Sequence, residues 1–119
     1  MQQELDRLAS GTRTVWFTGH SLGAALAVLA AHRYENPAVV YTFGAPRVGN
    51  LKFSERYRQK TFRIVNNADL VTDLPPPIWY RHVGELIYLD SRHEVHRNMT
   101  MSSILQDKAR GQGQAVLGR

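Results

Sequence analysis

Short apolar runs alternate along the chain with polar breaks rich in glycine or proline. Three of these runs are rich in β-branched and aromatic residues, as is typical of strands buried in a sheet: 15–18, 39–43 and 62–65. Apolar residues at helical spacing fill 22–34 between the first two runs, and Asn36-Pro37 ends that helix. Because strand, helix and strand follow one another within about 30 residues, the pattern predicts a βαβ unit with parallel strands.

The remaining segments predict shorter elements around this unit. These elements are a helix over 2–10 closed by Gly11, a helix over 51–60, a pair of strands over 79–89 that turns near Gly84, and a short helix around 101–105 before a flexible tail over 111–114. The helix over 22–34 is apolar around its whole circumference, so we expect it to be buried on most sides. The predicted fold class is α/β, a mostly parallel sheet with flanking helices.

Composition and charge exclude several classes of protein and of partner. A length of 119 residues suits a single domain over 1–119 and is short for a catalytic α/β fold. The formal charge of +5 is interpreted as solvation of the surface, with weak attraction to an anionic interface as the secondary expectation. The basic residues are scattered and do not alternate with aromatic residues, so no nucleic-acid partner is expected. The absence of cysteine excludes a thiolate nucleophile and a disulfide framework.

The sequence offers no targeting signal. No run reaches the roughly 18 apolar residues of a membrane span, and charges stand where a signal peptide would be apolar. The compartment is therefore undetermined, with the cytoplasm as the default interpretation.

The motif Gly19-His20-Ser21-Leu22-Gly23 lies between the first strand and the long helix. In that context G-x-S-x-G indicates a nucleophile elbow, a strained turn that raises the serine hydroxyl above the sheet. We expect glycine at 19 and 23 because side chains there would collide where strand and helix crowd together. Leu22 would offer a free backbone N–H to a developing oxyanion. The alternative interpretation is a serine that merely caps the helix.

A serine nucleophile needs a base to accept its proton and a carboxylate to orient that base. In α/β hydrolases the order along the chain is serine, acid, histidine. Asp69 lies 48 residues after Ser21, on the loop that follows the strand over 62–65. Asp69 is therefore the candidate acid, and a turn aspartate that binds local backbone is the alternative.

Four segments resemble, in the same order, signatures of the class 3 (fungal-type) lipase family: GHSLGAALA (19–27), TFGAPRVGN (42–50), VNNADLV (65–71) followed by LPP (74–76), and YRHVGE (80–85). The resemblance implies a partial α/β-hydrolase fold, with the chain as the C-terminal half of the domain. It also implies a lipase or carboxylesterase that acts on lipid or small esters without cofactor or metal. Ser21 takes the position of the family's nucleophile and Asp69 that of its acid.

The sequence does not identify the histidine that acts as the general base. The family's histidine comes some way past the third signature, about where this chain ends, and His82 matches a position that is not the base. His93 and His96 are the remaining candidates within the chain. They are three residues apart, whereas H-E-x-x-H metal sites need four, so we expect no metal at this segment.

Two further expectations follow from the apparent truncation. The alternative to an esterase is a non-catalytic lipase-like remnant or structural module that keeps the serine turn because the fold needs it. Half a sheet also exposes an unpaired strand edge, so we expect the isolated chain to self-associate.

Overall fold

The computed structural model describes residues 1–11, 13–67, 69, 73–75 and 79–116, with side chains as far as residue 111. Helices and strands follow one another in the order α1 (Gln2–Leu8), β1 (Val15–His20), α2 (Leu22–Arg33), β2 (Ala38–Phe43), α3 (Leu51–Arg56), β3 (Lys60–Asn66), β4 (Glu85–Leu89), β5 (Val95–Arg97) and α4 (Met101–Val116). Among the described residues, none of the helices has the length and hydrophobicity of a membrane-spanning segment.

The five strands form one sheet in the order β1-β2-β3-β4-β5. Strands β1 to β4 are parallel and β5 is antiparallel to β4, which confirms the predicted α/β class with a mostly parallel sheet. In the register Val15 pairs with Ala38, and Val40 pairs with Thr61. Because parallel strands end at the same edge, the segments that follow β1 and β3 lie on one side of the sheet.

One face of the sheet carries the core. Buried valines and an alanine from α2, β2 and the loops beside them pack together there: Val28, Ala31, Val40, Val48 and Val83. Helix α2 reaches this core through Ala24, Ala27, Val28 and Ala31. The expectation that α2 is buried on most sides is wrong, because Leu22, Leu26 and Leu29 are 70%, 59% and 41% exposed. A helix that packs on one sheet buries one face, whatever the polarity of the others.

The opposite face of the sheet carries a row of stacked aromatic rings. The Trp16 and Tyr41 ring centroids are 5.6 Å apart with planes 7° from parallel, and the Tyr41 and Phe62 centroids are 5.2 Å apart. Trp16 is still 61% exposed. Cross-strand aromatic pairs of this kind stabilise a sheet, and here they also form an apolar surface.

Two predicted boundaries near the middle of the chain are wrong. Helix α3 ends at Arg56, because Lys60 already begins β3 and pairs with Val39. The expected strand pair over 79–89 is a single strand, β4, and its antiparallel partner is β5. Gly84, at φ +92°, lies against Thr61, and a Cβ there would be 2.7 Å from the Thr61 methyl carbon. This close approach places the glycine before β4 rather than in a hairpin.

The two ends of the chain also differ from expectation. Helix α1 ends at Leu8 with Ala9 as its C-cap, so Gly11 lies beyond the helix. Helix α4 runs to Val116 and includes the segment expected to be a flexible tail. A Cβ at Gly111 would collide with the Asn67 side chain. The glycine therefore allows close packing of α4, which offsets its low helix propensity.

Helix α4 is fixed to the sheet by a buried carboxylate. Asp107 is 6% exposed and accepts hydrogen bonds from the Tyr88 hydroxyl (3.0 Å) and from the Ser91 backbone N–H and hydroxyl. Burial alone would raise the pKa of Asp107, but the bonds from Ser91 and Tyr88 outweigh it and hold the pKa below its usual value. Burial, followed by the contact with Asp107, raises the pKa of the Tyr88 hydroxyl. The sequence pattern gave no signal of this tertiary contact.

Candidate active site

Ser21 occupies the turn between β1 and α2 in a strained backbone conformation. Its φ is +54° and its ψ is −124°, a region that residues with a side chain seldom adopt. The turn is held in place because the Ser21 N–H donates to the Phe43 carbonyl at 2.9 Å and the Ser21 carbonyl accepts from the Ala24 N–H at 3.0 Å. Strain of this kind costs about 1–3 kcal/mol and persists only where the surrounding structure enforces it.

The two glycines of the motif have different surroundings. A Cβ at Gly19 would collide with the backbone carbonyl of Gly23 and lie 2.7 Å from the Ala24 nitrogen. A Cβ at Gly23 would have no heavy atom within 4 Å. The expected crowding between strand and helix is therefore present at Gly19 and absent at Gly23.

The Ser21 hydroxyl makes no capping hydrogen bond to α2. This argues against the interpretation of Ser21 as a simple helix cap. Leu22 is the first residue of α2, and an N–H in the first helical turn has no intrahelical acceptor. A donor and a hydroxyl that are both uncommitted to the helix thus lie next to each other at this turn.

Asp69 follows β3, at the same edge of the sheet. Its N–H donates to the Asn66 carbonyl at 3.0 Å, and its carboxylate packs on the backbone of Gly44, just past the end of β2. A Cβ at Gly44 would lie 3.2 Å from Cγ of Asp69 and would collide with its Oδ2. The same Cβ would lie 3.8 Å from Nε2 of His20. Gly44 has a φ of +61°, so glycine suits both its backbone and its neighbour.

The backbone joins the ends of the first three strands. Beyond the Ser21 bond to Phe43, the Gly44 N–H donates to the Ile64 carbonyl at 2.9 Å. Neighbouring strands lie about 4.8 Å apart, so β1 and β3 are separated by roughly 10 Å. The sequence pattern gave no signal of the contact between Gly44 and Asp69.

The two histidines that the sequence left as candidate bases lie in the loop after β4 and on β5. The His96 Nε2 is 2.7 Å from Oδ2 of Asp90, and His93 has a φ of +67° in the turn. Among the described residues neither ring is hydrogen bonded to the Ser21 hydroxyl. The hydrogen bond from His96 and then that from the Glu94 N–H hold the pKa of Asp90 below its usual value.

Asp90, Glu94 and His96 also form a group with ligand atoms within 4.8 Å of one another, the spacing of a metal site. The oxygens of Asp90 already have partners. Oδ1 accepts from the Arg92 and Glu94 N–H groups at 2.8 and 2.9 Å, and Oδ2 lies against His96. These bonds are those of a carboxylate that shapes a loop, and His93 is outside the group.

The α/β-hydrolase fold contains a mostly parallel sheet with flanking helices and a serine at a turn from a strand into a helix, and the structure has both features. The chain belongs to the lipase (class 3) family, whose family model matches residues 1–79. The resemblance stated from the sequence motifs is thereby confirmed.

Curated relatives and solved structures agree with this assignment. Phospholipase A1-Igamma1, chloroplastic, of Arabidopsis thaliana is 34% identical over 65% of this chain and 21% of its own length. Secreted mono- and diacylglycerol lipase 1 of Fusarium solani is 38% identical over 73% of this chain and 28% of its own. The structure of Rhizomucor miehei lipase in its propeptide complex matches 82% of this chain and 35% of its own, with a TM-score of 0.68 and 31% identity. The chain spans about a fifth of the length of the first of these curated relatives.

Proposed function

We propose that the protein hydrolyses carboxylic esters of lipids, with Ser21 as the nucleophile at a nucleophile elbow. The observation that carries this proposal is the strained turn at Ser21, whose hydroxyl is not used to cap α2. Such strain is kept where function requires it. The relatives named for phospholipase and for mono- and diacylglycerol lipase activity support a lipid ester as substrate.

In the proposed reaction the Ser21 hydroxyl oxygen attacks the acyl carbon of the ester and an imidazole accepts its proton. The tetrahedral oxyanion accepts a hydrogen bond from the Leu22 N–H. The imidazole then gives its proton to the departing alcohol, and water releases the acid by the reverse sequence. Asp69 accepts the other imidazole N–H and fixes the tautomer. The serine carries the acyl group between the attack on the ester and the hydrolysis by water, so no step needs a cofactor.

A stripe of exposed leucines supports contact with a lipid interface. Leu22, Leu26 and Leu29 lie along one side of α2, which begins directly after Ser21. Together with the net charge of +5, such a stripe favours the surface of an anionic lipid layer. An ester in that layer would then lie close to the serine.

Labelling with a fluorophosphonate tests the proposed nucleophile. We expect the intact mass to show one phosphonate adduct per chain, and peptide sequencing to place it on Ser21. Added imidazole supplies a base and is expected to increase the extent of labelling. Heat-unfolded protein is the control and should stay unlabelled, because the activation depends on the turn. An unlabelled folded chain, with and without imidazole, would contradict the proposal and favour the non-catalytic remnant. Labelling spread over other serines would contradict it as well.

We also propose that the isolated chain self-associates through β1 and the aromatic face beside it. In the described part of the chain β1 pairs with β2 alone, which leaves one edge of β1 unpaired. Trp16 on this strand is 61% exposed.

Sedimentation velocity measures this association. The average mass of the sedimenting species is expected to increase with protein concentration. Trp16→Lys is expected to reduce this increase, because a charge on an edge strand disfavours edge pairing. Trp79→Lys is the matched control, since Trp79 is 66% exposed but lies outside the sheet. A wild-type chain that sediments as a monomer at all concentrations would refute the proposal.

A further inference from the structure

Arg63 is a half-buried cation on β3. Its Nε is shielded from solvent and has no partner among the described residues. Its register partner on β2, Thr42, is 1% exposed, and the Thr42 hydroxyl likewise lacks a partner in the described part of the chain. Buried polar groups are nearly always hydrogen bonded, so the unsatisfied Nε of Arg63 points to a ligand.

Arg63 lines a cavity of about 70 Å³ between α4 and strands β3 and β4. This volume has room for a small polyatomic ion rather than a single water. Apolar side chains of Val65, Leu86 and Ile104 form much of the wall, so charges inside it are poorly screened.

The charges around the cavity do not balance. Lys108 on α4 pairs with Asp73 at 2.9 Å, which cancels one positive charge. Among the described residues, Arg47 donates through its side chain to neutral carbonyl oxygens, those of Asp73 and Pro75 at 2.5 and 3.2 Å. Burial, and then the charge of Arg47, lower the pKa of Arg63 to about 10. Arg47 and Arg63 are therefore two cations that no carboxylate among the described lining residues pairs with. The nearby Asp107 carboxylate accepts from the Tyr88 hydroxyl and from Ser91.

We propose that this cavity binds a phosphate group between Arg47 and Arg63. Guanidinium groups bind phosphate oxygens through paired N–H donors, and a doubly charged phosphate would neutralise both side chains. An unpaired buried cation is costly, and the ligand removes that cost. The cavity is built from β3, β4, α4 and the loop after β2, whereas Ser21 lies between β1 and α2. The binding site is thus distinct from the proposed ester-hydrolysing site and does not depend on it.

Calorimetric and thermal titration of the full chain with inorganic phosphate tests the proposal. We expect saturable binding of one phosphate and a rise of the unfolding midpoint by about 5 °C at ten times the Kd. Arg63→Met fills a similar volume without charge. It is expected to weaken binding at least about tenfold and, without phosphate, to unfold no earlier than wild type. Arg58→Met is the control, because Arg58 is exposed and lies outside the cavity.

Titration with a second ligand distinguishes a free phosphate ion from the phosphate of a lipid headgroup. A short-chain phosphatidylglycerol below its micellar concentration carries a phosphodiester with one charge. Tighter binding of inorganic phosphate identifies a free dianion as the ligand, and tighter binding of the lipid identifies a headgroup. The proposal is overturned if neither ligand saturates, if Arg63→Met binds as wild type does, or if chloride at equal ionic strength shifts the midpoint equally.

Discussion

Replacing Gly19 by alanine is expected to lower the free energy of unfolding by about 3 kcal/mol. The new methyl group would collide with the Gly23 carbonyl and lie 2.7 Å from the Ala24 nitrogen. Both obstacles are backbone atoms at the start of α2, so relief requires the helix to move away from β1, against which it packs. Urea unfolding followed by circular dichroism measures the change.

Gly23→Ala is the matched control for this prediction. Its methyl group would enter open space, and Gly23 lies inside α2, where alanine is the better helix former. We expect Gly23→Ala to be neutral or to stabilise the fold by about 0.5 kcal/mol. Equal destabilisation by the two substitutions would show that the close approach at Gly19 is not what holds strand and helix together.

Replacing Ser21 by alanine is expected to abolish ester hydrolysis. Without the hydroxyl oxygen no acyl-enzyme forms, and the rate falls by at least about 10³-fold toward that of the surrounding buffer. Hydrolysis of p-nitrophenyl butyrate, measured with and without added imidazole, gives the rate. Alanine removes one oxygen but keeps a Cβ at the positive φ, so circular dichroism should show an unchanged fold.

Ser54→Ala provides the comparison for this second prediction. The Ser54 hydroxyl bonds to the Leu51 carbonyl at 2.7 Å within α3, away from the turn at Ser21. Its loss should leave the rate unchanged. If Ser21→Ala also retains the wild-type rate, the hydrolysis does not use Ser21, and the turn is kept for the fold alone.

The sequence predicted the central βαβ unit well because its signals are local. The apolar run over 39–43 and the helical spacing after Leu22 each reflect how a segment meets its immediate neighbours, and β1, α2 and β2 lie where those patterns place them. The family resemblance was available for the same reason, since it rests on contiguous motifs. The roles of Ser21, Leu22 and Asp69 in catalysis stay predictions.

The errors fall where long-range contacts decide the structure. Helix α4 extends beyond the predicted segment because Asp107 bonds to Tyr88 and Ser91 and because Gly111 leaves room for Asn67. Strand β5 forms because β4 offers it an edge. The exposure of the leucines on α2 was mispredicted for the same reason. The apolar character of a side chain shows that it favours burial, but it does not show whether another part of the fold covers it.

The sequence by itself determined the fold class, the family and the order of serine and carboxylate along the chain, since each is written in spacing between neighbouring residues. Only the tertiary structure decided that Gly44 makes room for Asp69, that His96 pairs with Asp90, and that the Nε of Arg63 is shielded from solvent without a partner among the described residues. The physical reason is that hydrogen bonding and burial depend on distances across the sheet, which no linear pattern records.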